Sequence, residues 1–354
     1  MTNSPRVLIV GAGPTGLTAA LELARGGIMP RIIEQRSQAS GLSRAVGITP
    51  ATMDIFAPSG VGDDIRAEAV IISGMHMFRD ATHVAKLTIP TQSHCRQMLG
   101  LPQNRTEHHI VNGFAALGGV IEYATTLDGL DRQDDQVVAT INGTPETFDI
   151  VIGADGIQST VRKAANIPFD GYTLSETWSI ADVDVADVTD GNDLKLFLTG
   201  RGKVAMQILL EQTRWRLVSN TDDALATLPV PLNVTKIHRT GQFGIQVKQA
   251  TTYQKGPIFL AGDAAHCHSP VGGRGMNLGV ADAAVLADMI LSGDTADYSA
   301  SRHGISQRTI KMTERARRIV TSPNPVLRRC IITLFKLISH IPPIRKRIIR
   351  QIMQ

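Results

Sequence analysis

Gly11, Gly13 and Gly16 stand at the spacing G-x-G-x-x-G, and Glu34 follows Gly11 by 23 residues. In this pattern the glycines serve a tight turn, close approach of backbone to a pyrophosphate, and a close seat of helix on strand. The amides and positive dipole end of the next helix would take the pyrophosphate. An acid roughly 20 residues on would hold an adenosine ribose hydroxyl, and Glu34 is placed for that role. Two further stretches repeat the theme of glycine and acid after an apolar run. One is Gly153-Ala-Asp155-Gly156; the other is Gly262-Asp263-Ala-Ala-His266, which continues through Pro270 and Gly275-Met276-Asn277. Three such turns in one chain point to one extended dinucleotide-type cofactor gripped at several places.

The elements that must position these residues are legible around them. Residues 6–10 form an apolar, β-branched run that predicts a buried parallel strand. Leu17, Ala20, Leu21 and Ala24 then fall at helical spacing, and a second apolar strand ends at Glu34. This strand–turn–helix–strand context is what makes the glycine pattern informative. Apolar strands at 148–152 and 257–261 lead into the second and third turns, and a helix after the third should run to about Ser292. In between, helices are expected at 51–56 and from Gln103 to about Leu117, with strands within 71–90 and at 120–123. Strands at 137–141 and 148–152 flank an Asn142-Gly143 turn. Residues 176–253 read as mostly strand. The expected division is a discontinuous cofactor domain (1–70, 95–175 and 254–320), a β-rich substrate domain (71–94 and 176–253) and basic C-terminal helices (321–354).

Composition sets the limits. A chain of 354 residues with 43% hydrophobic and 19% charged residues is an ordinary globular composition with room for a large core. Cys95, Cys267 and Cys330 are widely spaced, form no metal or disulfide pattern and suggest a reducing compartment. His76, His83, His94, His108, His109, His266 and His268 fall in no ligand spacing, so no metal is expected. The first strand begins at residue 6 and leaves no room for a leader, and no unbroken run of 18 apolar residues occurs. A cytoplasmic location is the expectation. The net charge of +4 is uneven: residues 315–354 hold ten Lys or Arg and no acid, and subtracting that +10 leaves −6 for residues 1–314. A mildly acidic body argues against nucleic acid as a partner.

Together the three motifs resemble those of the FAD-dependent aromatic hydroxylases, the group A flavoprotein monooxygenases typified by para-hydroxybenzoate hydroxylase. The resemblance covers about residues 6–320, in matching order and spacing. It implies an α/β fold: a Rossmann-like FAD-binding domain of the glutathione-reductase type with an interleaved β-rich substrate domain and C-terminal helices. It also implies that Gly11, Gly13 and Gly16 hold the FAD pyrophosphate and Glu34 the adenine-side ribose. Arg44 would lie along the cofactor, and Arg105, or Gln103 beside it, would contact it. Asp155 and Gly156 form an element associated with both FAD and NAD(P)H, and Asp263 would bind the ribityl or pyrophosphate region. Residues from Pro270 through Gly275 to Asn277 would cradle the flavin ring, with the Met276 and Asn277 amides near its pyrimidine carbonyls. Arg274 replaces a glutamine common in the family and adds a positive charge there.

The implied activity is hydroxylation of a phenolic or quinone-precursor-like ring with NAD(P)H and O2 through a C4a-hydroperoxyflavin. The same motifs would serve an FAD dehydrogenase or reductase, or a non-catalytic flavoprotein partner in a biosynthetic complex. No catalytic base is assigned. His266 reads as a structural hydrogen-bonding residue, Cys267 as a small buried one, and Trp178 and Trp215 as core. His76 and Met206 are both candidates for the substrate cavity, because alternation alone does not say which face points inward. Family members often run longer than this chain, which suits either a more open pocket for a larger lipophilic substrate or a degenerate enzyme. In the tail, Ile344, Ile348, Ile349, Ile352 and Met353 form an apolar stripe opposite Arg345, Lys346, Arg347 and Arg350. Such a helix can lie on an anionic membrane or cap the cofactor domain; residues 325–340 are expected to pack.

Overall fold

The computed structural model describes residues 4–41, 45–89, 97–186, 191–211 and 213–353. Val7–Val10 is buried at every position and lies inside a six-stranded sheet. It pairs in parallel with Arg31–Ile33 on one side and Ile150–Gly153 on the other. Ile121–Glu122 and Ile258–Leu260 extend the parallel sheet, and Gln254–Lys255 closes one edge antiparallel. A strand covered on both faces needs apolar side chains on both, which is why this segment is continuous rather than alternating. Helix Pro14–Arg25 starts with proline in its first turn, where no amide partner is lost. It packs against helices Gly275–Ser292 and Gln103–Ala116. Leu17, Leu21 and Leu23 thereby join Leu286, Ala287 and Phe114 in one core.

The apolar run 148–152 is not one strand. Thr144–Phe148 ends a three-stranded meander with Leu127–Gln133 and Gln136–Ile141, whereas Ile150–Gly153 belongs to the parallel sheet. The break falls at Asp149, whose carboxylate accepts the Arg6 amide at 2.7 Å and Gln136 Nε2 at 2.9 Å. The Asn142-Gly143 turn has φ of 46° and 77°, the left-handed pair that a two-residue hairpin requires.

The second large sheet has eight strands, built around the paired 17-residue strands Phe169–Val185 and Val234–Ala250. Its neighbouring cross-strand rows face opposite ways, as the period of two demands. One row runs Ala85, Met77, Leu196, Met206, Val218, Ile180. The Met77–Met206 side of this row packs with Ile310, Ile331, Phe335 and Val271, the last of these in the third glycine-rich turn. The next row runs Lys86, His76, Lys195, Gln207, Leu217, Ala181, and its apolar end packs beneath residues 224–234. Met206 therefore shares the cluster of the third glycine-rich turn, and His76 points to the opposite face. Trp178 and Trp215 are both core, on opposite faces of this sheet.

Three helices end the chain: Tyr298–Val320, Pro325–His340 and Pro342–Met353. Pro325–His340 lies on Thr82–Thr88, and the final helix folds back so that Ile349 is buried with Ile72 and Ile89. Gly275–Ser292, with mean hydropathy 1.3, is as long and apolar as a membrane-crossing helix. It is a core helix here: Asp282 at its centre is fully buried and paired with His266 and Arg302.

Glu314 anchors Tyr298–Val320 beside the large sheet. It accepts from Arg317 at 2.8 and 2.9 Å and from Arg318 at 2.8 Å, while Arg317 also reaches Glu176 at 3.3 Å. Hydrogen bonds from Arg317, partly opposed by burial and aided by Arg318, pull its pKa from about 4.5 to about 2. A depressed carboxyl contributes stability that is present above the ordinary pKa and lost as pH falls through the folded one. Glu314→Gln is therefore expected to lower stability by about 1–2 kcal/mol at pH 7, with solvent screening limiting the effect. Urea midpoints of the two proteins should converge as pH falls from 4.5 toward 2; an equal gap at pH 7 and pH 3 would count against this ion cluster.

Candidate functional site

The site begins with strand register. Val10 pairs with Gly153, and Gly153 with Leu260, so three parallel strands end on one line. Their continuations are Gly11, Ala154-Asp155 and Ala261-Gly262-Asp263. Gly11 has φ +102°, and a Cβ there would stand 2.5 Å from the Ala154 carbonyl oxygen. A Cβ on Gly16 would collide with the Gly11 carbonyl, and Cβ atoms on Gly262 or Gly279 would each collide with Thr15 Oγ1. The first turn thus abuts the second through Gly11 and the third through Thr15. The chain leaves Val7–Val10 toward Arg31–Ile33 on one side, while Ile150–Gly153 lies on the other. This is the switch point at which open α/β sheets bind ligands.

Each turn is braced by buried polar groups. Glu34, only 5% exposed, accepts the Ala12 amide at 2.9 Å. It also accepts the Arg36 amide and two of its guanidinium nitrogens, all at 3.0 Å. Burial would raise this carboxyl, but the bonds from Arg36 and Ala12 hold it below its ordinary pKa. Arg36 was not singled out in the sequence; its position two residues after the acid is the only signal. Asp155 accepts the Thr160 and Val161 amides at 2.6 and 3.1 Å, so it ties the start of the next helix to the second turn. Its other oxygen is buried with no hydrogen-bond partner, and burial raises its pKa. Arg162 crosses from that helix to the third turn, donating to Ala264 O at 2.7 Å and Ile157 O at 2.8 Å while stacked 3.9 Å over Phe169.

The third turn hangs on Asp282. Its Oδ2 accepts the Gly262 amide at 3.1 Å and lies 2.5 Å from His266 Nε2; its Oδ1 accepts Arg302 Nε at 2.7 Å. Burial opposes ionisation of Asp282, but His266 and Arg302 hold its pKa below the ordinary value. Asp263 is exposed at the strand end. Residues 270–273 close a turn by the bond from the Gly273 amide to Pro270 O at 3.0 Å. Asn277 spends its side chain on structure: Oδ1 accepts the Thr49 amide and Thr52 Oγ1 at 2.9 and 2.7 Å, and Nδ2 donates to Gly47 O and Gly273 O at 2.8 and 3.2 Å. Only its backbone amide is left for a ligand. Met276 is buried beside it, and burial lowers the pKa of the neighbouring Arg274. Cys267 is buried with its thiol pKa raised, chiefly by desolvation.

Gln103 and Arg105 part company. Two residues on a helix are about 200° apart, and Arg105 turns outward to Glu68 at 2.6 and 2.9 Å, joined there by His109. Gln103 instead accepts the Ala45 amide at 3.2 Å and donates to Glu107 at 2.9 Å. Of the two candidates, Gln103 thus faces the Ala45 side and Arg105 the Glu68 side. Arg44 lies outside the described residues.

The arrangement suits FAD. Helices Pro14–Arg25 and Gly275–Ser292 both begin at this site without side-chain caps. Space around Gly13, Gly156, Gly272 and Gly273 is open, with nothing within 4 Å of an added Cβ. A diphosphate fits such uncapped, open helix starts. A flat ring fits the open glycines at the third turn.

Comparison with known proteins agrees. Residues 5–209 and 210–313 match the FAD binding domain family, and the chain belongs to it. FAD is its cofactor. Among curated relatives, 6-methylpretetramide 4-monooxygenase of Streptomyces rimosus is 29% identical, over 99% of this chain and 68% of that protein. Pentachlorophenol 4-monooxygenase of Sphingobium chlorophenolicum is 30% identical, over 78% of this chain and 56% of that protein. The crystal structure of p-nitrophenol 4-monooxygenase from Pseudomonas putida DLL-E4 superposes with a TM-score of 0.89 at 24% identity, covering 98% of this chain and 97% of that one. The chain is thus similar to FAD-dependent aromatic monooxygenases, although it spans only 56–68% of the two curated relatives' lengths.

Replacing Asp282 by Asn should destabilise the protein by about 3–5 kcal/mol, because buried Arg302 would lose its counter-charge. Release of the third turn should also speed FAD dissociation, followed by the fluorescence of freed flavin. Wild-type stability and release in the variant would remove Asp282 from this role.

Proposed function

We propose that this chain is an FAD-dependent monooxygenase that hydroxylates a phenolic or similar aromatic ring with NAD(P)H and O2. The observation that carries the reading is the meeting of the third glycine turn, through Val271, with the apolar row around Met206 on the large sheet. An aromatic ring held on that wall would lie against the turn that cradles the flavin. Bound FAD supplies hydride acceptance and oxygen activation; the chain supplies position and dryness.

Gly13 and the uncapped start of Pro14–Arg25 take the pyrophosphate, with Gly11 and Gly16 giving the close approach. Glu34 takes the ribose, already oriented by Ala12 and Arg36. Gln103 approaches the cofactor from the Ala45 side, and exposed Asp263 takes the ribityl region. Asp155 and Gly156 line the crevice. Pro270 and Gly275 frame the ring, and the Met276 and Asn277 amides meet its carbonyls. Arg274 adds positive charge there, which favours electron-rich flavin. Met75, Met206, Val218 and Phe243 form the apolar wall that excludes water from the reacting atoms. The curated relatives' names run from a single chlorinated phenol to a fused-ring pretetramide, and both classes belong in a substrate panel.

The free, exposed thiol of Cys330 suits the reducing cytoplasm. We also propose peripheral membrane contact through the basic C-terminal helices.

Anaerobic reduction of the yellow protein by NADH and NADPH tests the activity. A phenol from the panel should accelerate bleaching at least tenfold, and oxygen should then yield hydroxylated product. Fast bleaching indifferent to every phenol would favour a reductase, and no bleaching with FAD tightly held a non-catalytic flavoprotein. Glu34→Ala should weaken FAD binding about tenfold or more, since it removes two charge-assisted partners at once; unchanged affinity in FAD titrations would remove Glu34 from the site.

A further inference from the structure

The described chain exposes few large hydrophobic side chains, and five of them crowd into residues 326–344: Val326 (65% exposed), Leu327, Leu334, Leu337 and Ile344. At 3.6 residues per turn, Val326, Leu327, Cys330, Leu334 and Leu337 fall within an arc of about 100° on helix Pro325–His340. Phe335, Ile331, Ile332 and Ile338 occupy the opposite side and pack into the large-sheet cluster. Arg329, Lys336 and His340 take the remaining arc and are exposed. The helix is therefore divided three ways: one apolar side in the core, one apolar side outward, and a basic edge. Past the Pro342 bend, Arg345 and Arg347 add two further cations. Among the described residues, none of Arg329, Lys336, Arg345 and Arg347 pairs with a carboxylate.

Resting on the peripheral-contact reading above, we infer that the contact is made by this outward face of Pro325–His340 together with Ile344, and that its partner is an anionic lipid surface. Beyond its first turn the final helix takes no part, because Ile349 is committed to Ile72 and Ile89. Charge selects the occupant. A second copy would set Arg329, Lys336, Arg345 and Arg347 of one chain against the same four cations of the other, which is repulsive. An anionic bilayer takes the apolar arc among its acyl chains and the basic edge at its headgroups. That orientation puts the edge strand Thr82–Thr88, on which this helix lies, on the lipid-facing side of the large sheet. A lipophilic ring substrate could then reach the Met77–Met206 row without crossing water.

Flotation of the FAD-loaded full chain with phosphatidylcholine vesicles, with and without one-third phosphatidylglycerol, tests this. Binding to the anionic vesicles is expected, falling as salt rises. L334E/L337E should reduce it at least tenfold, and R329Q/K336Q should weaken it and flatten the salt dependence. All four positions are exposed, so FAD content and NAD(P)H-driven reduction should stay at wild-type level and report intact folding. No binding to any vesicle would overturn peripheral contact itself and leave the hydroxylase reading untouched. Binding that survives L334E/L337E would overturn the face, and equal binding to neutral vesicles would overturn the anionic partner. Self-association abolished by the same variants would assign the face to a second copy instead.

Discussion

Where Gly11 abuts Ala154, no side chain can stand between the ends of two parallel strands, and the site follows from that closeness. With Val10 level with Gly153 and Gly153 level with Leu260, the three turns must emerge side by side. Thr15 then fills the space that Gly262 and Gly279 leave empty. Helices Pro14–Arg25 and Gly275–Ser292 can pack along each other only because these small residues let their starts converge. Two positive helix ends consequently share one crevice, which is an unfavourable arrangement until an anionic ligand lies across it. A dinucleotide satisfies the arrangement; an empty crevice does not.

Buried charge holds these turns in place rather than adding much to stability. Asp282, Glu34 and Arg162 each bridge elements far apart in sequence: Asp282 to Gly262 and Arg302, Glu34 to Ala12, Arg162 to Ala264. Replacing such groups by apolar ones of equal volume is often neutral for folding, whereas removing one partner is costly. What they provide is direction. A carboxylate with several fixed donors cannot swing, so the amide it holds cannot swing either. The hydrogen-bonded side chain of Asn277 works in the same manner, fixing residues 47–52 against the third glycine turn and leaving its own amide uncommitted by the side chain.

The local part of this site was legible in the sequence because its signals are local. Three apolar strands, the glycines behind them and the acid after the second strand all lie within short windows, and the structure brings them to one line. Long-range pairing was not legible. Nothing near Arg105 marks it as the partner of Glu68, and nothing near Gln103 marks Ala45; helical phase separates the two side chains, but the phase means little until the neighbours are known. The run 148–152 misled for a related reason. Asp149 is a small interruption in an apolar stretch, yet it accepts from both sides and lets one strand end in the meander and the next begin in the parallel sheet. Met206 and His76 posed the hardest case. Both sit in alternating strands, and the choice of face depends on a register across six strands that no single segment contains.

The C-terminal helices show the same limit from the other direction. Apolar periodicity in residues 325–340 covers about two-thirds of the helix circumference, which is wider than the stripe a helix needs to dock on one surface. A sequence reading assigns all of it to the core. The sheet beneath covers only the arc centred on Phe335, and the rest faces outward. Burial of every apolar residue would require a second layer over this helix; among the described residues the final helix packs instead on Ile72 and Ile89. An outward apolar arc bordered on one side only by cations is asymmetric, and that asymmetry is what the proposed seat at a boundary between oil and water would use.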